Sequence, residues 1–176
     1  MEGHVKRSWF EVQAEKEAKR DRIRTGERIG NLIGVALSIV VLWFFGAQLT
    51  SNTGFFTSQF GTGDQILFFA WIVIGMLPPL GRLILGRRNV TRILDIISTG
   101  FFIIVSIWFL ISFPFDFSHI ADVLPSSLQF LLSWLTNDFV KGLFVFGIII
   151  SAIVLVYTTL LYRAVRKKLK AQTIIA

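Results

Sequence analysis

The chain alternates between long apolar runs and shorter stretches that hold almost all of its charged residues. A helix needs about 20 mostly apolar residues to cross the hydrocarbon core of a bilayer at a rise of about 1.5 Å per residue. Four stretches meet this requirement, at residues 29–49, 65–86, 93–113 and 142–162. The pattern predicts an all-α integral membrane protein whose four transmembrane helices form one domain, residues 29–162.

The segment between the third and fourth predicted spans is long for a loop. After Pro125, leucines recur at helical spacing as far as Leu135. This pattern predicts a short outer helix at about residues 125–136. About ten residues are too few to cross a bilayer, so we expect this helix to be either amphipathic and lie on the membrane or re-entrant.

Basic residues are concentrated on one side of the predicted spans. Of the 18 Lys and Arg residues, 17 fall in residues 1–28, 82–92 and 163–170, and Lys141 is the exception. Basic loops are retained in the cytoplasm. We therefore expect a multi-pass protein of the cell membrane with two cytoplasmic termini, a basic helical segment at residues 1–28 and a basic tail at residues 163–176.

The same charge pattern indicates what the protein contacts. The cytoplasmic side would carry a formal charge of +10 and the outer side −3. This asymmetry favours contact with the bilayer and with anionic lipids at the cytoplasmic face, and not with nucleic acid.

Composition narrows the class further. The chain is 53% hydrophobic and contains 18 Phe, more apolar surface than a soluble core of this size can bury. It contains no cysteine, which excludes disulfides and thiolate metal sites. The sequence also lacks a phosphate-binding Walker loop and hydrolase signatures. We expect no enzymatic activity, no cofactor and no metal.

Small residues recur every four positions at the start of the first predicted span. This stripe comprises Gly26, Gly30, Gly34 and Ser38, and Asn31 lies beside it. Small residues at this spacing let a second helix approach closely, which in lipid takes the place of hydrophobic burial. The stripe is typical of helix packing within one subunit or between subunits, and a small-residue pore wall is a third interpretation.

Two successive prolines, Pro78 and Pro79, lie in the second predicted span. They remove two backbone donors, and each disfavours helical geometry in the residue before it. This predicts a kink or a break in the helix. Broken helices expose groups that bind ions or substrates in some transporters.

Arg82 and Asp95 are ionisable residues within or beside the predicted spans, and Arg92 lies three residues before Asp95. Charges in a bilayer are costly, so they mark functional positions unless they are paired. The positions predict a structural salt bridge near the inner boundary. The alternative is an inner gate, if several subunits surround an axis.

Asp116, His119 and Asp122 lie together in the outer segment. Carboxylate and imidazole groups are common metal ligands, so these residues are candidates for a weak outer cation site. The alternative is that they are solvated polar residues of a loop.

These patterns suggest a function that depends on assembly, because few polar groups lie within the spans of one chain. We expect a homo-oligomeric channel or pore-forming subunit for ions or small solutes. The alternative is a non-conducting accessory or scaffold subunit of a larger membrane complex, which binds a protein or lipids through its glycine stripe and basic faces. A small carrier that uses the second span is a third hypothesis.

Overall fold

The computed structural model describes the backbone of residues 8–175 and the side chains of residues 8–169. Parts of the predicted terminal segments, residues 1–7 and Ala176, lie outside the described residues. The five α-helices are α1 (Trp9–Lys19), α2 (Thr25–Ser51), α3 (Thr62–Leu85), α4 (Arg88–Ser112) and α5 (Asn137–Ile175). Two short 3-10 helices, Phe117–His119 and Gln129–Leu131, lie between α4 and α5.

The all-helical prediction is confirmed, and α2, α3, α4 and α5 are each long and apolar enough to cross a membrane. Each predicted span lies within or overlaps one of these helices. Only 6–17% of the residues in the most apolar stretch of each helix are buried within the protein. Large apolar side chains, such as Trp43 at 68% exposure, therefore face outward, as expected for helices surrounded by lipid.

From α2 onward, helices that follow one another along the chain pack side by side. The most extensive contacts between helices join α2 to α3, α3 to α4 and α4 to α5. Helix α1 packs on α5. Ala14 and Ala18 of α1 are buried against Leu161 and Val165 of α5. The small alanine side chains let α1 lie close to the last turns of α5.

Helix α1 is separate from α2, because the segment between them pairs with the turn that joins α3 to α4. The backbone N–H of Ile23 donates to the Gly86 carbonyl at 3.1 Å, and that of Arg88 donates to the Asp21 carbonyl at 2.8 Å. These bonds gather α1, the α3–α4 turn and the C-terminal part of α5 at one end of the bundle. We call this the basic end.

The opposite end, which we call the aromatic end, is formed by residues 52–61 and 113–136. Phe55 and Phe115 are almost fully buried there, and their rings stack with centroids 5.6 Å apart. The Asp116 N–H donates to the Phe55 carbonyl at 2.7 Å. The main hydrophobic core therefore lies at this end, where the two connecting segments fold onto α3 and α4.

The predicted outer helix at residues 125–136 is not confirmed. This segment consists of turns, with the single 3-10 helix Gln129–Leu131. Nucleating an α-helix is costly, so a stretch of about ten residues forms one only when packing supports it. Leu131 and Trp134 are instead exposed, and the Trp134 indole donates to the Leu131 carbonyl at 2.7 Å.

Of the kink or break predicted in the second span, the break is absent, because α3 continues through Pro78 and Pro79. The φ angle of proline, about −65°, is itself helical. Two prolines therefore remove hydrogen bonds to the preceding turn without forcing the chain out of the helix. The carrier hypothesis assumed that the second span is broken, and α3 shows no such break.

Candidate functional site

An apolar cavity of about 490 Å³ lies toward the aromatic end of the bundle. It lies between α2 and α5, which flank α3 and α4 and do not pack extensively on each other. Its walls include the aromatic side chains of Phe45, Phe68, Trp71, Phe102 and Phe144. A volume of about 300–1,000 Å³ with apolar walls is typical of sites that bind small molecules.

The lining of this apolar cavity also includes two small residues, Ser38 of α2 and Gly75 of α3. The Ser38 hydroxyl donates to the Gly34 carbonyl at 2.9 Å, so its proton is already used within α2. A Cβ atom placed on Gly75 would meet nothing within 4 Å. The cavity thus offers shape and apolar contact, with little capacity for hydrogen bonding.

A second cavity, of about 360 Å³, lies at the basic end and is lined by charged residues. We call it the charged cavity. All five helices contribute to it. The ionisable residues are Glu17 of α1, Glu27 of α2, Arg82 of α3, and Arg88, Arg92 and Asp95 of α4, and the lining also includes Asn31 and Thr158.

The charges of this cavity are paired across helices. Arg82 holds both carboxylate oxygens of Asp95, at 2.5 and 2.6 Å. Arg88 Nη2 lies 2.5 Å from Glu27 Oε1. Three arginines face three acids, so the formal charge of the lining is zero. Pairing of this kind offsets the cost of removing ions from water near a membrane.

Arg92 has a different partner from the one its position in the sequence suggested. Its guanidinium pairs with Glu17 of α1, at 2.5 Å between Nη2 and Oε2, and not with Asp95. Arg82 and Asp95 form the salt bridge that the sequence predicted, for which an inner gate was the alternative interpretation. Both residues line a cavity inside the chain. This position favours the structural role over a gate on an axis between subunits.

Sequence reasoning missed Glu17, Glu27 and Arg88. All three lie in polar stretches that resemble solvated cytoplasmic segments, so nothing in hydropathy separated them from their neighbours. The available signal did not single them out, because Glu17 and Glu27 are two of six acids that residues 1–28 hold beside eight basic residues. Acids retained among many basic residues are candidates for internal ion pairs.

Among the described residues, no neighbouring helix packs closely on the three glycines of the small-residue stripe of α2. A Cβ atom on Gly26, Gly30 or Gly34 would meet nothing within 4 Å. Helix α2 packs extensively on α3 alone, which leaves the glycine face open. Ser38 and Asn31 line the apolar and the charged cavity respectively. Close helix approach occurs instead at Gly81 of α3, where an added Cβ would lie 2.8 Å from Leu94 Cδ1.

Of the three residues of the predicted outer cation site, Asp116 is engaged with Ser118, whereas His119 and Asp122 pair with each other. Asp116 Oδ1 accepts hydrogen bonds from the Ser118 hydroxyl at 2.7 Å and the Ser118 N–H at 3.0 Å. These bonds lower the pKa of Asp116 below its ordinary value. His119 Nδ1 lies 2.8 Å from Asp122 Oδ2. Among the described residues, no group of three or more such side chains could hold a metal ion.

Comparisons with known proteins give no further guide to this site. No protein-family model matches the chain, and no curated protein or solved structure is similar to it at a significant level. The geometry of the two cavities therefore carries the functional argument.

Proposed function

We propose that the chain is a membrane-embedded binding protein that holds the aliphatic chain of a lipid in the apolar cavity. The observation that carries this proposal is an aromatic-lined space of about 490 Å³ between α2 and α5, two helices that do not close on each other. This proposal shares lipid binding with the non-conducting accessory or scaffold alternative, but it places the lipid in the apolar cavity and not on the glycine stripe and basic faces.

The physical basis of selectivity is packing. A bilayer is as apolar as the cavity, so a lipid chain gains little from leaving it by the hydrophobic effect alone. Dispersion contacts with rigid aromatic walls are individually weak and collectively large. A chain that fills the cavity would gain these contacts, and one that leaves voids would not.

The proposed topology follows the charges. The basic end faces the cytoplasm of a cell membrane, with both termini on that side, because basic segments are retained there. Support comes from the fold, which gathers α1, the α3–α4 turn and the C-terminal part of α5 at one end. Anionic headgroups of the inner leaflet would then lie beside these segments.

Trp71 provides a direct test, because its indole lines the apolar cavity. The chain has five tryptophans. A variant that keeps only Trp71, with the others replaced by Phe, is reconstituted in vesicles whose lipids carry bromine on the acyl chains. We expect bromine to quench Trp71 fluorescence, and a companion variant that keeps only Trp43 reports quenching by bulk lipid. Strong quenching of Trp43 with none of Trp71 would overturn the proposal.

A pair of glycine substitutions separates the cavity from the lipid-facing surface. Gly75→Leu places a side chain in the cavity, whereas Gly142→Leu places one on the exposed surface of α5. A Cβ at either position meets nothing within 4 Å, so neither change forces a clash at its first atom. We expect Gly75→Leu to reduce Trp71 quenching and Gly142→Leu to leave it unchanged. Equal effects would contradict binding in the cavity.

A pore-forming homo-oligomer is the second candidate, and the open glycine face of α2 favours it. A Cβ added to Gly30 or Gly34 meets nothing within 4 Å among the described residues, which leaves room there for a second copy. In this case light scattering in detergent gives an oligomer for the natural chain and a smaller species for Gly30→Leu with Gly34→Leu. Reconstituted vesicles would also conduct ions. A monomer that conducts nothing would contradict this candidate, and purification only with a different protein would favour a larger complex.

A further inference from the structure

A groove of about 570 Å³ runs between α4 and α5 at the basic end. Ile93 and Ile96 of α4 form its apolar part. Arg163, Arg166 and Lys167 of α5 form its charged part. The groove shares no residue with the apolar cavity at the other end of the bundle, so it is a separate feature of the molecule.

The basic side chains described near the C-terminal end of α5, at residues 163–168, fall on two faces with different environments. Lys168 faces α1, where its amine donates to the Glu11 carbonyl at 3.1 Å and lies 3.8 Å from a Glu15 carboxylate oxygen. Its charge is therefore used to dock α1. The three basic residues of the groove, Arg163, Arg166 and Lys167, lie on the other face of α5 and are exposed.

The three basic residues of the groove have no acidic partner among the described side chains. Arg166 Nη1 donates to the Tyr162 hydroxyl at 3.3 Å, and its guanidinium carbon lies 6.0 Å from the Tyr162 ring centroid. This contact orients the guanidinium without neutralising it. Three positive charges are thus concentrated within five residues of α5, beside an apolar floor.

We infer that this groove binds an anionic phospholipid. The phosphate lies against Arg163, Arg166 and Lys167, and an acyl chain lies against Ile93 and Ile96. A phospholipid carries a negative phosphate next to an aliphatic chain, the same order in which the groove presents basic and apolar residues. The groove also lies where the apolar stretch of α5 ends and its basic residues begin, at Arg163, a position that suits the headgroup of an anionic lipid.

The charge complementarity of the groove selects the lipid class. Each basic residue near an anionic membrane surface contributes about a fivefold increase in affinity. Three such residues favour an anionic headgroup over a zwitterionic one, whose own positive charge would face the same cluster. Isoleucine side chains offer nothing to a soluble anion, so the apolar floor favours a lipid over free phosphate.

Native mass spectrometry of the full chain, after incubation with phosphatidylglycerol or phosphatidylcholine in detergent, tests the inference. We expect phosphatidylglycerol to be retained preferentially. Replacing Arg163, Arg166 and Lys167 by Gln should reduce its affinity by about a hundredfold. The matched control replaces Lys16, Arg22 and Arg24 by Gln, which removes the same charge from the same end and should change little.

Three outcomes would overturn the inference. These are equal retention of the two lipids, an equal loss in the control variant, and displacement of the lipid by millimolar inorganic phosphate. If the triple variant does not fold, the exposed single variant Lys167→Glu gives the same comparison, and unchanged lipid retention in it would count against the groove. The Trp71 quenching experiment involves none of these residues, so failure here is distinguishable from failure of the proposed function.

Discussion

Arg92 and Glu17 form an ion pair that joins α1 to the first turns of α4, across 75 positions of the sequence. Only 8% of the Arg92 side chain is exposed. Its other terminal nitrogen, Nη1, is buried without a hydrogen-bond partner among the described residues. Glu17 is therefore the acid that directly compensates a buried positive charge, and α1 is part of the folded bundle.

Replacing Glu17 by Gln should destabilise the protein strongly. The substitution leaves the Arg92 charge buried without its carboxylate, and removal of one partner of a buried pair costs about 3–5 kcal/mol. Glu17 is partly exposed, so we expect the lower part of this range. Unfolding in mixed micelles, followed by circular dichroism, measures the change.

The control for this change is Lys16→Gln, which alters an exposed residue of α1. In the Glu17→Gln background, Arg92→Met should recover part of the lost stability, because it removes the uncompensated charge. A Glu17→Gln variant as stable as Lys16→Gln would show that the pair contributes nothing.

Gly81 should not tolerate even a methyl group without cost. Gly81→Ala would place Cβ 2.8 Å from Leu94 Cδ1, which can rotate away, and 3.2 Å from Cγ2 of the fully buried Thr91, so α3 and α4 must shift apart to relieve the second contact. We expect a lower melting temperature in detergent. At Gly100 of α4 an added Cβ meets nothing within 4 Å, so Gly100→Ala should raise stability by about 0.5–1 kcal/mol through helix propensity. The test is whether the two variants change stability in opposite directions. A Gly81→Ala variant more stable than the natural chain would refute close packing at Gly81.

Gln48 should be sensitive to the loss of its amide. Its side chain is 1% exposed, donates to the Ile120 carbonyl at 2.6 Å and accepts a hydrogen bond from the Thr53 hydroxyl. Gln48→Leu leaves both groups without their partner, at a cost of about 1–3 kcal/mol. Thermal unfolding in detergent measures this, with Gln65→Leu as the control at a less buried glutamine. A loss no larger than in the control would argue against the hydrogen bonds.

The pH dependence of Asp116 can be assigned a sign. Hydrogen bonds from Ser118 hold the pKa of this carboxyl below its ordinary value, so the folded state binds a proton less readily than the unfolded chain. The stabilisation is present above the unfolded pKa of about 3.9 and is lost as the pH falls through the folded pKa. Ser118→Ala should move the Asp116 pKa up toward its ordinary value, measured by carboxyl ¹³C shifts in NMR. An unchanged pKa would contradict this role of Ser118.

Local properties of the chain were enough to locate the four apolar helices. Crossing lipid requires about 20 apolar residues and an internally hydrogen-bonded backbone, and both requirements can be read from a continuous stretch of sequence. At Pro78 and Pro79 the same reasoning left a kink or a break open, and the structure excludes only the break. Local rules treat proline as a helix breaker, yet its φ angle is helical and α3 continues through both residues.

The candidate sites depend on contacts that no local pattern contains. Glu17 resembles a solvated residue of a basic segment until α1 folds onto α5 and brings it to Arg92. The apolar cavity exists because α2 packs on α3 and α5 on α4, which leaves the space between α2 and α5 unfilled. Hydropathy describes how well each segment suits lipid. Cavities and ion pairs, in contrast, depend on which separate helices contact each other. For this reason the apolar helices could be identified from the chain alone, and the partners of its charges and the position of its cavities required the folded bundle.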